Sequence, residues 1–152
     1  MVRVVFDTNV LIRAMLSKGK PYVLFRKAVS KDFVLVISDL ILKEFEGVMR
    51  RSKFGFTEKE LSEITHSLMQ TAEQVAVVSK FKIVMRDFKD DMVLETAYDG
   101  GADFIVSGDD HLLSLDSFRG ISIVSVNQML TYLEEKCVNK LLILQHFRNI
   151  EL

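Results

Sequence analysis

Four carboxylates stand at the edges of apolar segments, where a fold with alternating strands and helices would place a shared site. They are Asp7, Glu44, Asp90 and Asp109. If the fold brings them together, they need a cation, because two carboxylates about 4 Å apart repel by roughly 1 kcal/mol in water and about 4 kcal/mol at an effective dielectric of about 20. Oxygen ligands favour Mg²⁺ or Mn²⁺, which activate water and stabilise displacement at phosphorus. The residue types therefore fit metal-dependent phosphoryl chemistry.

A simpler role for most of these residues is helix capping. An aspartate at a strand–helix junction commonly accepts a hydrogen bond from the first helical turn. Capping accounts for Asp7, Asp90 and Asp109 one at a time, and for Asp39 as well. It does not account for Glu44, which the pattern predicts inside a helix. Spacing alone leaves both interpretations open.

The elements that must position the acids are predicted from apolar periodicity. Strands are expected at Val2–Phe6, Phe33–Ile37, Phe104–Val106 and Ile121–Val124, with one more at Val75–Val78 or at Lys82–Met85. Helices are expected at Thr8–Ser17, Tyr22–Ser30, from Leu40 to about Arg51, from the capping box at Thr57 to about Glu73, at Asp90–Tyr98 and at Asn127–Lys136. Nearly continuous apolar strands separated by helices predict a single α/β/α three-layer domain with a central, mainly parallel sheet.

In such sheets the ligand site lies beyond the carboxyl ends of the strands. Asp7 and Ser38 each end a predicted strand, and Asp109 lies three residues past Val106. Glu44 follows Ser38 by fewer than two helical turns, so it can face the same edge. The topology therefore predicts that the four acids converge.

Composition excludes a general attraction to nucleic acid. The formal net charge is −1, so RNA or DNA binding has to rest on local cations. The densest cluster is Lys43, Arg50, Arg51 and Lys53, which are candidate RNA contacts or simply a solvated helix face and its C-terminal end.

The sequence also bears on cellular compartment and on the division of the chain into domains. No apolar run approaches the roughly 18 residues needed to cross a membrane, and no secretory signal is visible. A single cysteine, Cys137, fits a reducing cytoplasm and is predicted to be a buried structural thiol. We divide the chain into a domain at residues 1–136 and a helical C-terminal extension at residues 137–152, which forms a further core helix on the domain or a dimer contact.

Several motifs together resemble the PIN domain family, and most closely the toxin components of toxin–antitoxin pairs. The resemblance covers roughly Val2 to Leu133. The motifs are Val4-Val5-Phe6-Asp7-Thr8-Asn9-Val10-Leu11, Ile37-Ser38 with Glu44, Asp90, and Ala102-Asp103-Phe104-Ile105-Val106-Ser107-Gly108-Asp109.

The resemblance implies a ribonuclease that depends on Mg²⁺ or Mn²⁺, with one or two ions, and acts on single-stranded or loop RNA. Carried over by position, the catalytic and metal-binding acids are Asp7, Glu44, Asp90 and Asp109, and the polar supports are Asn9 and Ser38. The toxin group also implies a homodimer and a small antitoxin protein as partners.

Two departures from the toxin group concern the predicted site. Phe88-Lys89 stands where that group often has a proline, and His111 stands where it often has an acid. The number of metal ions therefore stays open.

Two other functions compete with the ribonuclease. One is a PIN-like binding or scaffold module that cleaves weakly or not at all. The other is a haloacid-dehalogenase-like phosphatase, which needs a second aspartate two residues after the first, where this chain has Asn9.

Overall fold

Strands and helices alternate along the chain, as the apolar pattern predicts. The computed structural model describes residues 1–81 and 88–150. The strands are β1 (Arg3–Phe6), β2 (Val34–Ser38), β3 (Glu73–Val75), β4 (Phe104–Val106), β5 (Ser117–Phe118) and β6 (Ile121–Val124). The helices are α1 (Thr8–Leu16), α2 (Lys20–Val29), α3 (Asp39–Met49), α4 (Glu58–Thr71), α5 (Phe88–Asp99), α6 (Asp110–Leu115) and α7 (Val126–Ile150). The second strand candidate, Lys82–Met85, lies outside the described residues.

The strands form one sheet in the order β3-β2-β1-β4-β6-β5. Every neighbouring pair is parallel except β5 with β6. The strand β1 lies between β2 and β4, and its Val4, Val5 and Phe6 are fully buried. This burial explains the unbroken apolar run, because a central parallel strand faces helices on both sides. The predicted α/β class with a mainly parallel central sheet is confirmed.

Local signals predicted several boundaries well. The capping box is present: the Thr57 hydroxyl accepts from the Glu60 amide at 3.1 Å, while the Glu60 carboxylate accepts from the Thr57 amide at 3.4 Å. Gly100 and Gly101 end α5. A Cβ on Gly100 would lie 2.7 Å from a methyl group of Val36 in β2, so only glycine allows this close approach of helix end and sheet.

The sequence prediction was inaccurate at both edges of the sheet, which are formed by β3 and β5. The strand β3 begins at Glu73, two residues before the predicted Val75–Val78, and residues 76–78 are not strand. The short helix α6 and the antiparallel strand β5 were not predicted. A two-residue turn joins β5 to β6, with positive φ at both Arg119 (49°) and Gly120 (83°). Such short elements carry too little apolar periodicity to be recognised, although a two-residue turn ending in glycine is a hairpin signal.

The last helix corrects the prediction for the C-terminal region. The helix α7 runs without a break across the predicted boundary between residues 136 and 137, so the division into domain and extension stays a prediction. Leu133 is buried, but the apolar side chains at residues 137–148 are exposed, including Leu142 (57%) and Phe147 (61%). These side chains do not belong to the core of the domain as the structure describes it, and the role of the extension stays a prediction. Cys137 is exposed as well, contrary to the predicted buried thiol.

No helix in residues 1–81 and 88–150 combines the length and the hydropathy that a bilayer crossing requires.

Candidate active site

Asp7 lies at the carboxyl end of the central strand. Its amide donates to the carbonyl of Val106 at 2.9 Å, which continues the pairing of β1 with β4. Continuing the parallel registers Phe6↔Val106 and Val5↔Val36 places Asp7 between Ser107 and Ser38. Neighbouring strands are about 4.8 Å apart, so the three residues form one row across the sheet edge.

Ser107 connects Asp7 to Asp109. The fully buried Ser107 hydroxyl donates to Oδ2 of Asp7 at 2.8 Å and accepts from the Asp109 amide at 3.0 Å. Oδ1 of Asp109 in turn accepts from the His111 amide at 2.8 Å, which caps α6. Asp109 therefore caps its helix through its side chain, whereas Asp7 occupies the N-cap position of α1 without a side-chain capping bond.

Burial makes the charge on Asp7 costly. The residue is 8% exposed. Burial raises the pKa of Asp7, the Ser107 hydroxyl and the nearby Thr8 and Asn9 amides lower it, and the charge of Asp109 raises it, with a net upward shift. Within residues 1–81 and 88–150, no ion pair involves Asp7 or Asp109. Two neighbouring carboxylates that form no ion pair within the described residues are a donor set that suits a hard divalent cation.

Ser38 acts on the position of α5. The Thr96 hydroxyl donates to the Met92 carbonyl at 2.7 Å, so the Ser38 hydroxyl donates its own hydrogen to Thr96, also at 2.7 Å. Both hydroxyls are buried, and Ser38 also caps α3 by accepting from the Ile41 amide at 3.4 Å. The bond fixes the helix that carries Asp90, a residue 4% exposed in the first turn of α5.

Glu44 contacts different residues from those that contact Asp7. Its Oε1 is 2.9 Å from Nζ of Lys89, the residue that precedes Asp90 in α5. Glu44 thus faces the start of α5, and a lysine of the chain contacts its carboxylate. The other predicted support, Asn9, is exposed in the first turn of α1.

The described residues do not contain a complete metal cage. Among residues 1–81 and 88–150, no three Asp, Glu, His or Cys side chains are grouped so that they could hold an ion. Asp7 and Asp109 interact with each other, whereas Glu44 is paired with Lys89. The assignment of all four acids to one metal site stays a prediction.

The predicted RNA-contacting cluster is split by α3. Lys43 is exposed in the middle of α3, where it directly precedes Glu44. Arg50, Arg51 and Lys53 follow the C-terminal end of the helix, and 11 residues of helix span about 16 Å. Arg50 also pairs with Glu46 and Glu58, each at 3.4 Å. The three distal cations therefore lie far from the sheet edge that carries Asp7.

Another arginine lies nearer to that edge. A Cβ added to Gly108 would be 3.7 Å from Nη1 of the exposed Arg13 in α1. Gly108 separates Ser107 from Asp109, so this guanidinium group flanks the turn that carries the acid.

A scan against protein families matches the PIN domain over residues 3–111, from β1 into α6. The chain belongs to the PIN domain family. A PIN domain is a nuclease-type fold whose members generally use divalent metal ions and act on RNA. A search of curated proteins finds no sequence match. All four acids fall inside the matched PIN region, and α7 lies outside it.

Sequence reasoning gave no role in the candidate site to four residues: Ser107, Thr96, Arg13 and Lys89. Ser107 had a usable signal, because it directly follows β4 as Asp7 directly follows β1. The other three had none. Thr96 contacts Ser38, Lys89 contacts Glu44, and Arg13 lies beside Gly108. Each of these partners is distant in the sequence, and only the fold brings the two residues of a pair together.

Proposed function

We propose that this PIN domain is a metal-dependent endoribonuclease that hydrolyses phosphodiester bonds of single-stranded or loop RNA. One observation carries the proposal: Asp7 is buried, bonded to Ser107 and close to Asp109, without an ion pair in the described residues. If Asp7 only started a helix, a neutral residue at this position would make the fold more stable. Stabilising substitutions of this kind are readily found, and their usual cost is a loss of function. A destabilising buried carboxylate therefore points to a functional role.

Mg²⁺ or Mn²⁺ is the cofactor we propose, and Asp7 and Asp109 would hold it with Asp90 and Glu44 at the rim. Such an ion supplies Lewis-acid chemistry that activates water and offsets charge on a phosphate. The chain's own residues supply position. The Ser107 hydroxyl orients the Asp7 carboxylate, and the Ser38–Thr96 bond holds α5 and hence Asp90 against the sheet.

RNA would approach the site past cations that neutralise its phosphates. Arg13 fits this role better than Arg50, Arg51 or Lys53, because its guanidinium group lies beside Gly108 while the others lie beyond the far end of α3. An exposed arginine presents a planar fork of donors that suits a phosphate diester. Lys43, in the middle of α3, remains a candidate from the sequence prediction.

The test is cleavage of a fluorescent single-stranded RNA with Mn²⁺ or Mg²⁺, by wild type, Asp7→Asn and the matched control Asp39→Asn. Asp39 is an exposed acid of α3 that has no part in the proposed chemistry. We expect Asp7→Asn to lose at least about 100-fold in rate, as for other groups that stabilise transition-state charge. Asp39→Asn should cleave like wild type, and all cleavage should stop with chelator. Equal cleavage by wild type and Asp7→Asn would indicate a contaminating nuclease and refute the proposal.

A binding or scaffold module is the second candidate function. The Lys89–Glu44 pair favours it, because one of the four acids is neutralised by the chain itself. This function predicts that the protein binds the same RNA without cleaving it at any Mn²⁺ concentration, and that Asp7→Asn binds equally well. The phosphatase alternative loses its basis, because the chain belongs to the PIN family and carries Asn9 where that mechanism needs an acid.

The biological partners are proposed with the function. We propose a homodimer through the exposed apolar face of α7, since large apolar patches on a protein surface commonly mark interaction sites. We also propose a toxin role with a small antitoxin, supported by the resemblance of the motifs; a small reading frame beside the gene would be the first evidence. A cytoplasmic location is supported by the single, exposed thiol of Cys137, which suits a reducing compartment.

A further inference from the structure

A lysine of the chain contacts one of the four acids directly. Nζ of Lys89 lies 2.9 Å from Oε1 of Glu44, and the two side chains are 53% and 24% exposed. Lys89 immediately precedes the buried Asp90, another of the four acids, in the first turn of α5. The pair also joins α3 to α5, the two helices that border the sheet edge at β2.

The four acids are consequently not equivalent. Asp7 and Asp109 repel each other, and within the described residues no ion pair involves either of them. Glu44 already has a counter-ion. A divalent ion therefore gains most by binding at Asp7 and Asp109, whereas binding at Glu44 first requires the loss of the Lys89 contact.

We propose that Lys89 is a built-in counter-ion that competes with the divalent metal for Glu44. The site then takes one divalent ion, held mainly by Asp7 and Asp109, and the Lys89 ammonium supplies the second positive charge at the rim. Lys89 is a positioning residue in this arrangement. This inference rests on the proposed metal-dependent function.

The competing explanation is that the pair only ties α3 to α5. Half-exposed ion pairs usually contribute little to folding, so a purely structural role predicts small effects on stability and none on metal affinity. Metal binding therefore separates the two explanations better than thermal unfolding does.

The experiment is a double-mutant cycle on Mn²⁺ affinity, measured by isothermal titration calorimetry and by the electron paramagnetic resonance signal of free Mn²⁺. The full chain is compared as wild type, Glu44→Gln, Lys89→Gln and the double variant, and Asp7→Asn serves as the reference for loss of a main metal ligand. Lys43→Gln is the matched control, since it removes one exposed positive charge beside Glu44 in the chain. Lys89→Arg keeps the charge and should behave like wild type, and thermal unfolding confirms that each variant is folded.

The expected values follow from the strength of the pair. A half-exposed ion pair favours the paired state by up to about fivefold. Glu44→Gln should then weaken Mn²⁺ binding by no more than about twofold when Lys89 is present. In the Lys89→Gln background the same substitution should weaken Mn²⁺ binding by about fivefold. Lys89→Gln alone should tighten binding about threefold, more than Lys43→Gln does. Wild type should bind one Mn²⁺ per chain.

Three results would overturn the inference. Wild type would bind two Mn²⁺ ions per chain, or Glu44→Gln would lose as much Mn²⁺ affinity as Asp7→Asn does. The third result is a change in Mn²⁺ affinity in Lys89→Gln no larger than that in Lys43→Gln. If RNA cleavage is Mn²⁺-dependent and requires Asp7 but the cycle shows no coupling, the inference fails and the proposed function stands. If the coupling is present without RNA cleavage, the inference stands and the proposed function fails.

Discussion

Replacing Asp7 by asparagine should stabilise the metal-free protein. Asp7 is 8% exposed, and its pKa is raised by burial and by the charge of Asp109. A carboxyl whose pKa is higher in the folded state than in the unfolded chain, where it is about 3.9, favours folding while it is protonated. Its contribution is therefore full below about pH 4 and is lost as the pH rises through the folded-state pKa. Above the folded-state pKa the charge of Asp7 costs stability, and asparagine removes that cost.

The size of the gain is limited by the bond to Ser107. An asparagine Oδ1 can still accept the Ser107 hydroxyl, so no buried donor loses its partner. We expect a gain of about 1 kcal/mol in the free energy of unfolding at pH 7, within the range of single stabilising substitutions. For a domain of this size that corresponds to about 2–4 °C in Tm. The gain should shrink at pH 4, where wild-type Asp7 is more fully protonated.

Thermal unfolding followed by circular dichroism tests this in chelator at both pH values and again with Mn²⁺. Mn²⁺ should raise the Tm of wild type and leave Asp7→Asn nearly unchanged, because an ion stabilises only the protein that binds it. The control of opposite sign is Asp99→Asn. Although burial opposes it, hydrogen bonds from Ser79 and from the Val78 amide hold the pKa of Asp99 below its usual value. That carboxylate stabilises the fold above its unfolded pKa and loses its contribution as the pH falls, so Asp99→Asn should lower Tm at pH 7. An Asp7→Asn variant less stable than wild type at pH 7 in chelator would refute the reasoning.

Three further predictions concern stability, substrate and assembly. Gly100→Ala should lower the unfolding free energy by about 1–3 kcal/mol, because the added Cβ would lie 2.7 Å from a methyl group of β2. Gly47→Ala, whose added Cβ has no atom within 4 Å, should raise the unfolding free energy by about 0.5–1 kcal/mol. Chemical denaturation measures both changes, and equal effects would contradict the packing argument. Arg13→Gln should weaken RNA binding in chelator about fivefold, against less than about twofold for Arg51→Gln, by fluorescence anisotropy; the reverse order would move the RNA path to the far end of α3. Leu142→Glu should convert the proposed dimer to a monomer by light scattering, and a monomeric wild type would remove the dimer proposal.

Much of the framework depends on interactions between residues close in the chain, and these were predictable. The apolar run before Asp7 marked the central strand, and Thr57 with Glu60 marked the start of α4. The edge strand β5 escaped prediction because it is only two residues long. Exposure was predicted poorly at the C-terminus: Cys137 and the apolar residues after it suggested burial, but α7 extends beyond its packing partners.

Sequence by itself determined the α/β class, the acid at the end of β1 and the family resemblance, because strand periodicity and strand-end position are properties of the local chain. Only the tertiary structure decided what each acid contacts. Ser107 reaches Asp7 across 100 residues of sequence, and Lys89 of α5 reaches Glu44 of α3. A hydrogen bond or ion pair needs its two atoms within about 3 Å, and no pattern along one chain specifies such a distance between remote segments.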